Sequence, residues 1–247
     1  MRDPMPVTVE QAPELNLQPG RVIGSTYVVE DLLGSGWEGE VYKVRERRTD
    51  AIRAVKVFRP DRNPRDRVLT RYARKLERLR HCAIVIDYHH TERLRWRNQW
   101  LTCMVSEYVE GEVLDRFVRR RGGQMDPVSA LHLLHALTRG LEEIHDAGEY
   151  HGDLHWGNVL VRRRGIHFEV KVLDLFHWGR PTAAQRRADI CELVKILLDV
   201  VGGRSRYAQL PVELKTILRG LRKDRIIERF PTASALRRHL DTFDWSR

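Results

Sequence analysis

Residues 33–44 read LGSGWEGEVYKV, and this stretch decides the fold of the chain. Its glycines follow the spacing Gly-x-Gly-x-x-Gly, which two different kinds of phosphate-binding fold share. The flanking residues 27–33 and 40–45 are apolar or alternating, as in the two strands of a hairpin. A dinucleotide-binding fingerprint would instead open a helix after its last glycine. We therefore predict a glycine-rich loop between two strands, with Val41 in the second strand.

A further strand-like run, IRAVKVF at residues 52–58, brings Lys56 beside this hairpin. Backbone amides at Gly34, Gly36 and Gly39 can then approach phosphate groups, and Lys56 supplies a cation for them. The sequence thus predicts a phosphate-binding half-site made of a hairpin, a third strand and a lysine.

The second cluster of chemistry-bearing residues lies downstream, in HGDLHWGN at residues 151–158 and VLD at residues 172–174. Phosphoryl transfer requires a phosphate cradle, a cation, metal ligands and an acceptor for the substrate proton. We expect Asp153 to accept the proton of a hydroxyl group. Asn158 and Asp174 are expected to share a metal ion, because a tight loop turns them toward one pocket.

At these residues the chain resembles the eukaryotic-type serine/threonine protein kinases, in a compact bacterial-type form, over residues 25–243. The resemblance implies an enzyme that uses ATP and Mg and phosphorylates a protein substrate. It implies an α+β, bilobal protein-kinase-like fold with a small five-stranded antiparallel N-lobe, one N-lobe helix and a mainly helical C-lobe. The expected bounds are 1–24 for a flexible N-terminal segment, 25–108 for the N-lobe and 109–247 for the C-lobe.

The resemblance extends to residues without a direct chemical role. VSEYVEG at residues 105–111 resembles the adenine-binding hinge, with Ser106 as gatekeeper and backbone groups of Glu107 and Val109 on the base. Asp189 resembles the family's buried aspartate that braces the catalytic loop.

Several positions depart from the family pattern. Tyr72 stands where a helix Glu normally pairs with the strand lysine, and the nearby acids Asp66 and Glu77 lie off the apolar face of that helix. The segment from Asp174 to Asp189 is short. Leu175-Phe176 replaces Phe-Gly, which predicts a hydrophobic plug without a flexible glycine.

His155 leaves the acceptor open. It occupies the place of a lysine that touches the transferred phosphate, and HGDLHxGN is similar to the motif of small-molecule phosphotransferases and lipopolysaccharide-type kinases. Three functions therefore remain: a protein kinase, a small-molecule or lipid kinase, and a pseudokinase that binds nucleotide as a scaffold. We expect His151 to pack in the core beneath the loop.

The remaining elements follow from periodicity and end signals. The patterns predict strands at 83–88 and 100–108 around a polar connection at 91–98, and a hairpin at 165–176. They predict helices at 68–79, at 127–148 with Asp126 as N-cap, at 190–201, at 212–221 and at 232–240.

Composition limits the remaining possibilities. The 247 residues carry a formal net charge of +10, with the basic excess concentrated between residues 45 and 80. An acidic partner fits this charge, whereas no nucleic-acid-binding motif accompanies it. The absence of a signal pattern or membrane-span pattern predicts a cytoplasmic protein. Cys82, Cys103 and Cys191 are predicted to be buried thiols, and no structural metal is expected.

Overall fold

The computed structural model describes residues 14–175, 180–242 and 244, and its contacts divide the chain into two compact units. The first comprises the described residues up to Thr70 together with His89–Tyr108. The second comprises Arg71–Tyr88 and the described residues from Val109 onward. The first unit is mainly an antiparallel sheet and the second is mainly helical, as the predicted α+β class requires.

Among the described residues, the sheet of the first unit has six strands, one more than predicted, in the order β1-β2-β3-β4-β6-β5. The extra strand is the two-residue β1, which pairs with β2. Beyond β1, the Gly24 N–H donates to the Arg93 carbonyl of β5 at 3.0 Å, so the first and last strands approach each other. The strand bounds are β1 Val22–Ile23, β2 Tyr27–Ser35, β3 Gly39–Glu46, β4 Ile52–Phe58, β5 Tyr88–Trp96 and β6 Gln99–Glu107.

Alternation of side chains gives this sheet one face that forms an apolar core and another face that carries Lys56. The apolar face forms a continuous core with members from every strand, including Ile23, Val29, Tyr42, Val55, Leu94 and Val105. On the other face, direct cross-strand pairing aligns Gly34, Val41, Lys56 and Met104 in one row. Directly opposed residues share a face, so the register itself places Val41 beside Lys56.

The described part of the N-terminal segment differs from the flexible start that we predicted for residues 1–24. Leu15 and Leu17 are buried in the core of the sheet. Their backbone N–H groups donate to the Glu40 carboxylate at 2.8 Å and to the Tyr42 hydroxyl at 3.0 Å. Burial of two leucines and satisfaction of their amides hold residues 14–24 on the sheet, whereas residues 1–13 lie outside the described residues.

The strand predicted at residues 83–88 is wrong, because β5 covers the stretch that we interpreted as a polar connection. The arginines of residues 91–97 alternate with Leu94 and Trp96, which are buried while the arginines are exposed. This is the period-two pattern of a half-buried strand. The predicted strand at 100–108 is confirmed as β6, shifted by one residue.

Residues 71–88, which we had included in the first lobe, belong to the second unit. The Lys75 ammonium donates to the Tyr150 carbonyl, and the Val172 N–H donates to the Ile84 carbonyl at 2.8 Å. These hydrogen bonds attach the segment to the elements that carry the predicted catalytic loop. Its helix, α1, spans Arg67–Arg78, close to the predicted 68–79.

The second unit is built around α3, which spans Pro127–Asp146. Asp126 caps it as predicted, because its carboxylate accepts from the Ser129 N–H at 2.9 Å. The sequence reading missed the short α2 and α6, whose six and seven residues give little periodicity. The other helices are α2 Leu114–Arg119, α4 Ala183–Val200, α5 Val212–Leu218, α6 Lys223–Arg229 and α7 Ala233–Thr242.

A small sheet in this unit includes two strands that follow the predicted catalytic loop, residues 151–158, and lead to the predicted metal ligand Asp174. Its strands are β7 Glu112–Val113, β8 Val159–Arg164 and β9 His167–Val172, in the order β7-β8-β9. The hairpin that we predicted at 165–176 is therefore wrong in register, since its turn lies at Gly165 and its first strand begins at Val159. The predicted residue Phe176 lies outside the described residues.

The three cysteines are buried free thiols, as predicted. Burial raises the pKa of Cys103 to about 12, so this thiol stays protonated at neutral pH. Within the described ranges, no helix combines the length and apolar character that crossing a bilayer requires.

Candidate active site

The glycine loop is the tight connection between β2 and β3 in the first unit. The Gly36 N–H donates to the Gly39 carbonyl at 2.9 Å, which closes the turn. A Cβ atom added to Gly34 or Gly36 would meet no atom of the described residues within 4 Å. These two glycines therefore border open space, as residues that face a ligand must.

Gly39 is required for a different reason than the one we predicted from the sequence. A Cβ atom at this position would collide with the backbone carbonyl of Val57 and would lie 3.0 Å from the Phe58 Cα atom. Both atoms belong to β4, so the missing side chain lets β3 and β4 approach each other. The third glycine of the motif thus serves sheet packing.

This difference predicts separate effects of two alanine substitutions. Gly39→Ala is expected to lower the free energy of unfolding by about 1–3 kcal/mol, because backbone atoms of β4 cannot rotate away from the added methyl group. Gly34→Ala, the matched control, should change it by less than about 1 kcal/mol. Urea denaturation of both variants tests this prediction, and equal stabilities would contradict it.

Lys56 lies in β4 and is only 8% exposed. Its Nζ atom is 2.8 Å from Oε2 of Glu38, at the tip of the glycine loop. Glu38 was not among the predicted site residues. The loop itself thus supplies a carboxylate to the lysine.

The helix residues that we considered as partners of Lys56 have other roles. Tyr72 is buried in α1. The Asp66 carboxylate accepts from the Asn63 amide at 3.1 Å and from the Thr102 hydroxyl at 2.8 Å, while Glu77 pairs with Arg80 at 3.2 Å on the surface. None of these contacts supplies a helix carboxylate to the lysine.

The residues predicted to form the adenine-binding hinge lie at the end of the sheet of the first unit and just after it. Glu107 is the last residue of β6 and is paired with Arg53 of β4. Ser106, the predicted gatekeeper, is buried and pairs with Ala54 on the face that carries Lys56. Val109 belongs to the second unit, which resumes at this residue after the strands β5 and β6.

In the second unit, Asp189 of α4 organises the backbone at the start of the predicted catalytic loop, residues 151–158. Its carboxylate accepts from the His151 N–H at 2.7 Å and from the Gly152 N–H at 2.8 Å. It also contacts Nε2 of His145 at 3.1 Å. This geometry agrees with the bracing role that the family resemblance implied, and it adds His145, which the sequence reading missed.

Asp153 and Asn158 are brought together by the loop that follows. The Asn158 amide donates to the Asp153 carbonyl at 3.0 Å and to its carboxylate oxygen Oδ2 at 3.2 Å. The Asp153 side chain is 61% exposed. An oriented and solvent-accessible carboxylate is the arrangement that a general base requires.

The β8–β9 hairpin brings Asp174 to the same place. Val159 pairs with Val172, and the Leu173 N–H donates to the Asn158 carbonyl at 2.8 Å, so Asp174 follows directly beside Asn158. Asp174 has a φ of +51°, in the left-handed region that non-glycine residues rarely adopt. Backbone strain of this kind clusters at functional sites, where the fold over-determines one conformation.

The two loop histidines differ in environment. His155 is half-exposed, its Nδ1 accepts from the Gly157 N–H at 3.1 Å, and its Nε2 lies 3.9 Å from the Asp153 carboxylate. His151 is fully buried, and desolvation lowers its pKa to about 4. It is therefore neutral at pH 7 and packs beneath the loop, as predicted.

Comparisons with known proteins point to one family. The model of the protein kinase domain matches residues 27–191. A serine/threonine-protein kinase of Corynebacterium efficiens is 29% identical over 156 residues, which are 62% of this chain and 29% of the relative. A probable serine/threonine-protein kinase of Streptomyces coelicolor is 32% identical over 161 residues, 64% of this chain and 23% of the relative.

Solved structures show that the fold is also that of a protein kinase domain. A crystal structure of a double mutant of the PknI kinase domain of Mycobacterium tuberculosis aligns with a TM-score of 0.64 at 20% identity. The alignment covers 91% of this chain and 96% of the solved one. The two curated relatives are matched over less than a third of their own length. With two thirds of its length matched by the family model, the chain belongs to the protein kinase domain family.

Proposed function

We propose that this chain is an ATP- and Mg-dependent protein kinase that transfers the γ-phosphate of ATP to a serine or threonine hydroxyl. The observation that carries the proposal is the arrangement of Asp153, Asn158 and Asp174 around one hairpin end. It combines an oriented base with an amide and a carboxylate for a cation. The relatives named above support a protein acceptor.

Asp153 is the proposed base that accepts the proton of the substrate hydroxyl. The Asn158 amide holds its carboxylate in one orientation, so the second oxygen can face the acceptor. His155 is the third proposed catalytic residue, with Nε2 on the side of Asp153 and Nδ1 engaged by the backbone. With Nδ1 accepting from the Gly157 N–H, the ring carries its proton on Nε2, which would donate a hydrogen bond toward the transferred phosphate.

Asn158 and Asp174 are the proposed ligands of Mg. Amide and carboxylate oxygens suit this hard cation, which is commonly bound by one or two carboxylates together with substrate phosphates. Asn158 uses its N–H group toward Asp153, which leaves its amide oxygen for the cation. Bound Mg would neutralise charge that develops on the phosphate oxygens.

The first unit supplies the proposed phosphate contacts. Lys56 is assigned to the phosphates, with Val41 beside it and with Gly34 and Gly36 bordering open space in the loop. Gly39, the third glycine of the loop motif, allows the backbones of β3 and β4 to approach each other closely. Backbone groups of Glu107 and Val109 are assigned to the adenine base, as in the family that the sequence resembles.

Intact-protein mass spectrometry after incubation with Mg-ATP tests this proposal. The wild type should gain the mass of one or more phosphoryl groups, because the protein itself offers serine and threonine hydroxyls. The same incubation with EDTA should give none. Tandem mass spectrometry then shows whether serine or threonine carries the phosphate.

The two rival functions give different results in this experiment. A small-molecule or lipid kinase, which the HGDLHxGN motif favours, would consume ATP in the presence of a hydroxylated metabolite and leave the protein mass unchanged. A pseudokinase would bind Mg-ATP without turnover of any acceptor. An unmodified wild type that also hydrolyses no ATP would therefore contradict the proposed kinase activity.

The Glu38–Lys56 ion pair predicts that Glu38 lowers the affinity for Mg-ATP. Glu38→Gln is expected to tighten Mg-ATP binding about three- to tenfold, because the phosphates no longer compete with a carboxylate for Lys56. Isothermal titration calorimetry measures this change. Glu30→Gln is the matched control, since Glu30 pairs with Lys43 at 2.9 Å elsewhere on the same sheet and should leave the affinity unchanged. Weaker binding by Glu38→Gln would show that Glu38 assists Lys56.

A further inference from the structure

Lys75 is a buried lysine in the second unit, on the apolar side of α1. Only 2% of its surface is exposed. It is three residues after Tyr72 and directly before Leu76, both of which are buried. Lysine is almost never fully buried unless it is paired, so its position requires an explanation.

The Lys75 ammonium is directed at the start of the catalytic loop. Its Nζ atom donates to the carbonyl oxygen of Tyr150 at 2.5 Å and lies 3.6 Å from the carboxylate of Glu149. It also lies 4.4 Å from the centre of the Tyr150 ring. Glu149 is itself buried and receives a second cation, Arg78, from the next turn of α1.

The Tyr150 carbonyl belongs to the same peptide group as the His151 N–H. That N–H donates to the Asp189 carboxylate at 2.7 Å. The peptide plane between Tyr150 and His151 is thus held at its oxygen by a cation and at its nitrogen by an anion. Hydrogen bonds to ionised partners are about twice as strong as neutral ones, so the two contacts fix the rotation of this plane.

We infer that Lys75 is a positioning residue that sets the orientation of the catalytic loop, and through it of Asp153, by holding the Tyr150–His151 peptide against Asp189. Asp153 is only two residues beyond this peptide, so a rotation of the plane moves its carboxylate. The inference rests on the proposed kinase function, in which Asp153 is the base. It gives α1 a lysine-based link to the catalytic loop.

The electrostatic surroundings of Lys75 make the link dependent on pH. Burial lowers the pKa of Lys75 to about 8 from an ordinary 10.5, while Glu149 and Asp189 oppose the shift and Arg78 adds to it. His151, which also faces Lys75, is neutral at pH 7. Because the folded pKa is lowered, the charged lysine costs stability below pH 8, and this cost disappears as the pH rises from 8 to 10.5. At neutral pH the charged form of Lys75 therefore lowers the free energy of unfolding.

Hydrogen exchange tests the link without reference to catalysis. In Lys75→Met, amide exchange in residues 150–153 is expected to accelerate at least about tenfold, because a lost charge-assisted bond frees the peptide. Arg78→Met is the matched control. It removes a cation from the same Glu149, but its side chain is 59% exposed, and exchange in residues 150–153 should stay at the wild-type rate. Unchanged exchange in Lys75→Met would overturn the inference.

Phosphorylation kinetics test the catalytic consequence. We expect Lys75→Met to lower kcat about 10- to 100-fold with little change in KM for ATP, since a displaced base impairs the reaction more than nucleotide binding. The wild type should lose activity above about pH 8, and Lys75→Met should lack this alkaline limb. Arg78→Met should keep the limb but at a higher pH, because the Arg78 cation helps to lower the pKa of Lys75. A normal rate or the same limb in Lys75→Met would overturn the positioning role.

Two further outcomes separate the causes of failure. A thermal melt of Lys75→Met that still shows one cooperative transition excludes misfolding. If that variant does not fold, Lys75→Arg replaces it, because an arginine stays charged and should shift the alkaline limb upward. An inactive wild type would overturn the proposed kinase function and the catalytic part of this inference, whereas the exchange experiment decides the structural link on its own.

Discussion

Asp153→Asn is expected to lower the rate of phosphoryl transfer by about 100- to 10,000-fold, the range that general acid–base catalysis contributes. The substitution removes the proton acceptor but keeps the size of the side chain. It also keeps the backbone carbonyl that accepts from the Asn158 amide at 3.0 Å. KM for ATP should therefore change little, because the nucleotide contacts are assigned to other residues. Intact-mass time courses with Mg-ATP give the rate.

Two controls make this result specific to the base. Asp146→Asn removes an exposed carboxylate at the end of α3 and should leave the rate unchanged. The free energy of unfolding of Asp153→Asn should remain within about 0.5 kcal/mol of the wild type, as for other exposed positions. If Asp153→Asn retained the wild-type rate, Asp153 would not be the base, and the proposed reaction would need a different proton acceptor.

Asp174→Asn is expected to lower turnover by at least about 100-fold, since a metal ion stabilises transferred charge by several kcal/mol. Asparagine tolerates the left-handed backbone of this position, where φ is +51°, so the variant removes the charge without removing the conformation. The rate should rise with Mg concentrations well above those that saturate the wild type. Nucleotide binding in EDTA should be unaffected. A Mg titration of the rate measures both effects.

Asp174→Ala distinguishes the loss of the proposed metal ligand from the effect of backbone strain. Alanine in the left-handed region costs about 1–2 kcal/mol, so this variant should lose the same activity as Asp174→Asn and, in addition, melt at a lower temperature. Glu169→Gln, an exposed carboxylate in β9 of the same hairpin, should change neither property. An unchanged Mg dependence in Asp174→Asn would place the metal ligand elsewhere.

The sequence alone determined the parts of this protein that depend on local pattern. The glycine spacing followed by a strand identified the β2–β3 hairpin, and Asp126 with Pro127 identified the start of α3. The spacing of Asp153, Asn158 and Asp174 was visible because one loop and one hairpin connect them. Local hydrogen bonds and alternation produce such features, so neighbouring residues carry enough information to predict them.

Two predictions from the sequence were wrong because the composition of the neighbouring residues pointed to a different structure. The arginines around Leu94 and Trp96 hid the strand β5, although their period of two was present. Leu15 and Leu17 lie in a proline-rich start that indicated flexibility, but both are buried in the apolar core of the sheet. In both cases the packing partner, rather than the segment, decided the structure.

Only the tertiary structure decided which partners the buried charged residues have. Glu38 and Lys56 are 18 residues apart, and Lys75 donates to a carbonyl 75 positions away. Lys75 does share the face of Tyr72 and Leu76, but periodicity says only that such a residue is buried. The partners of Lys56 and Lys75 depend on the conformation of the glycine loop, the register of the strands and the packing of α1. These are properties of the whole fold, because the desolvation of a charge is offset only by the groups that folding brings beside it.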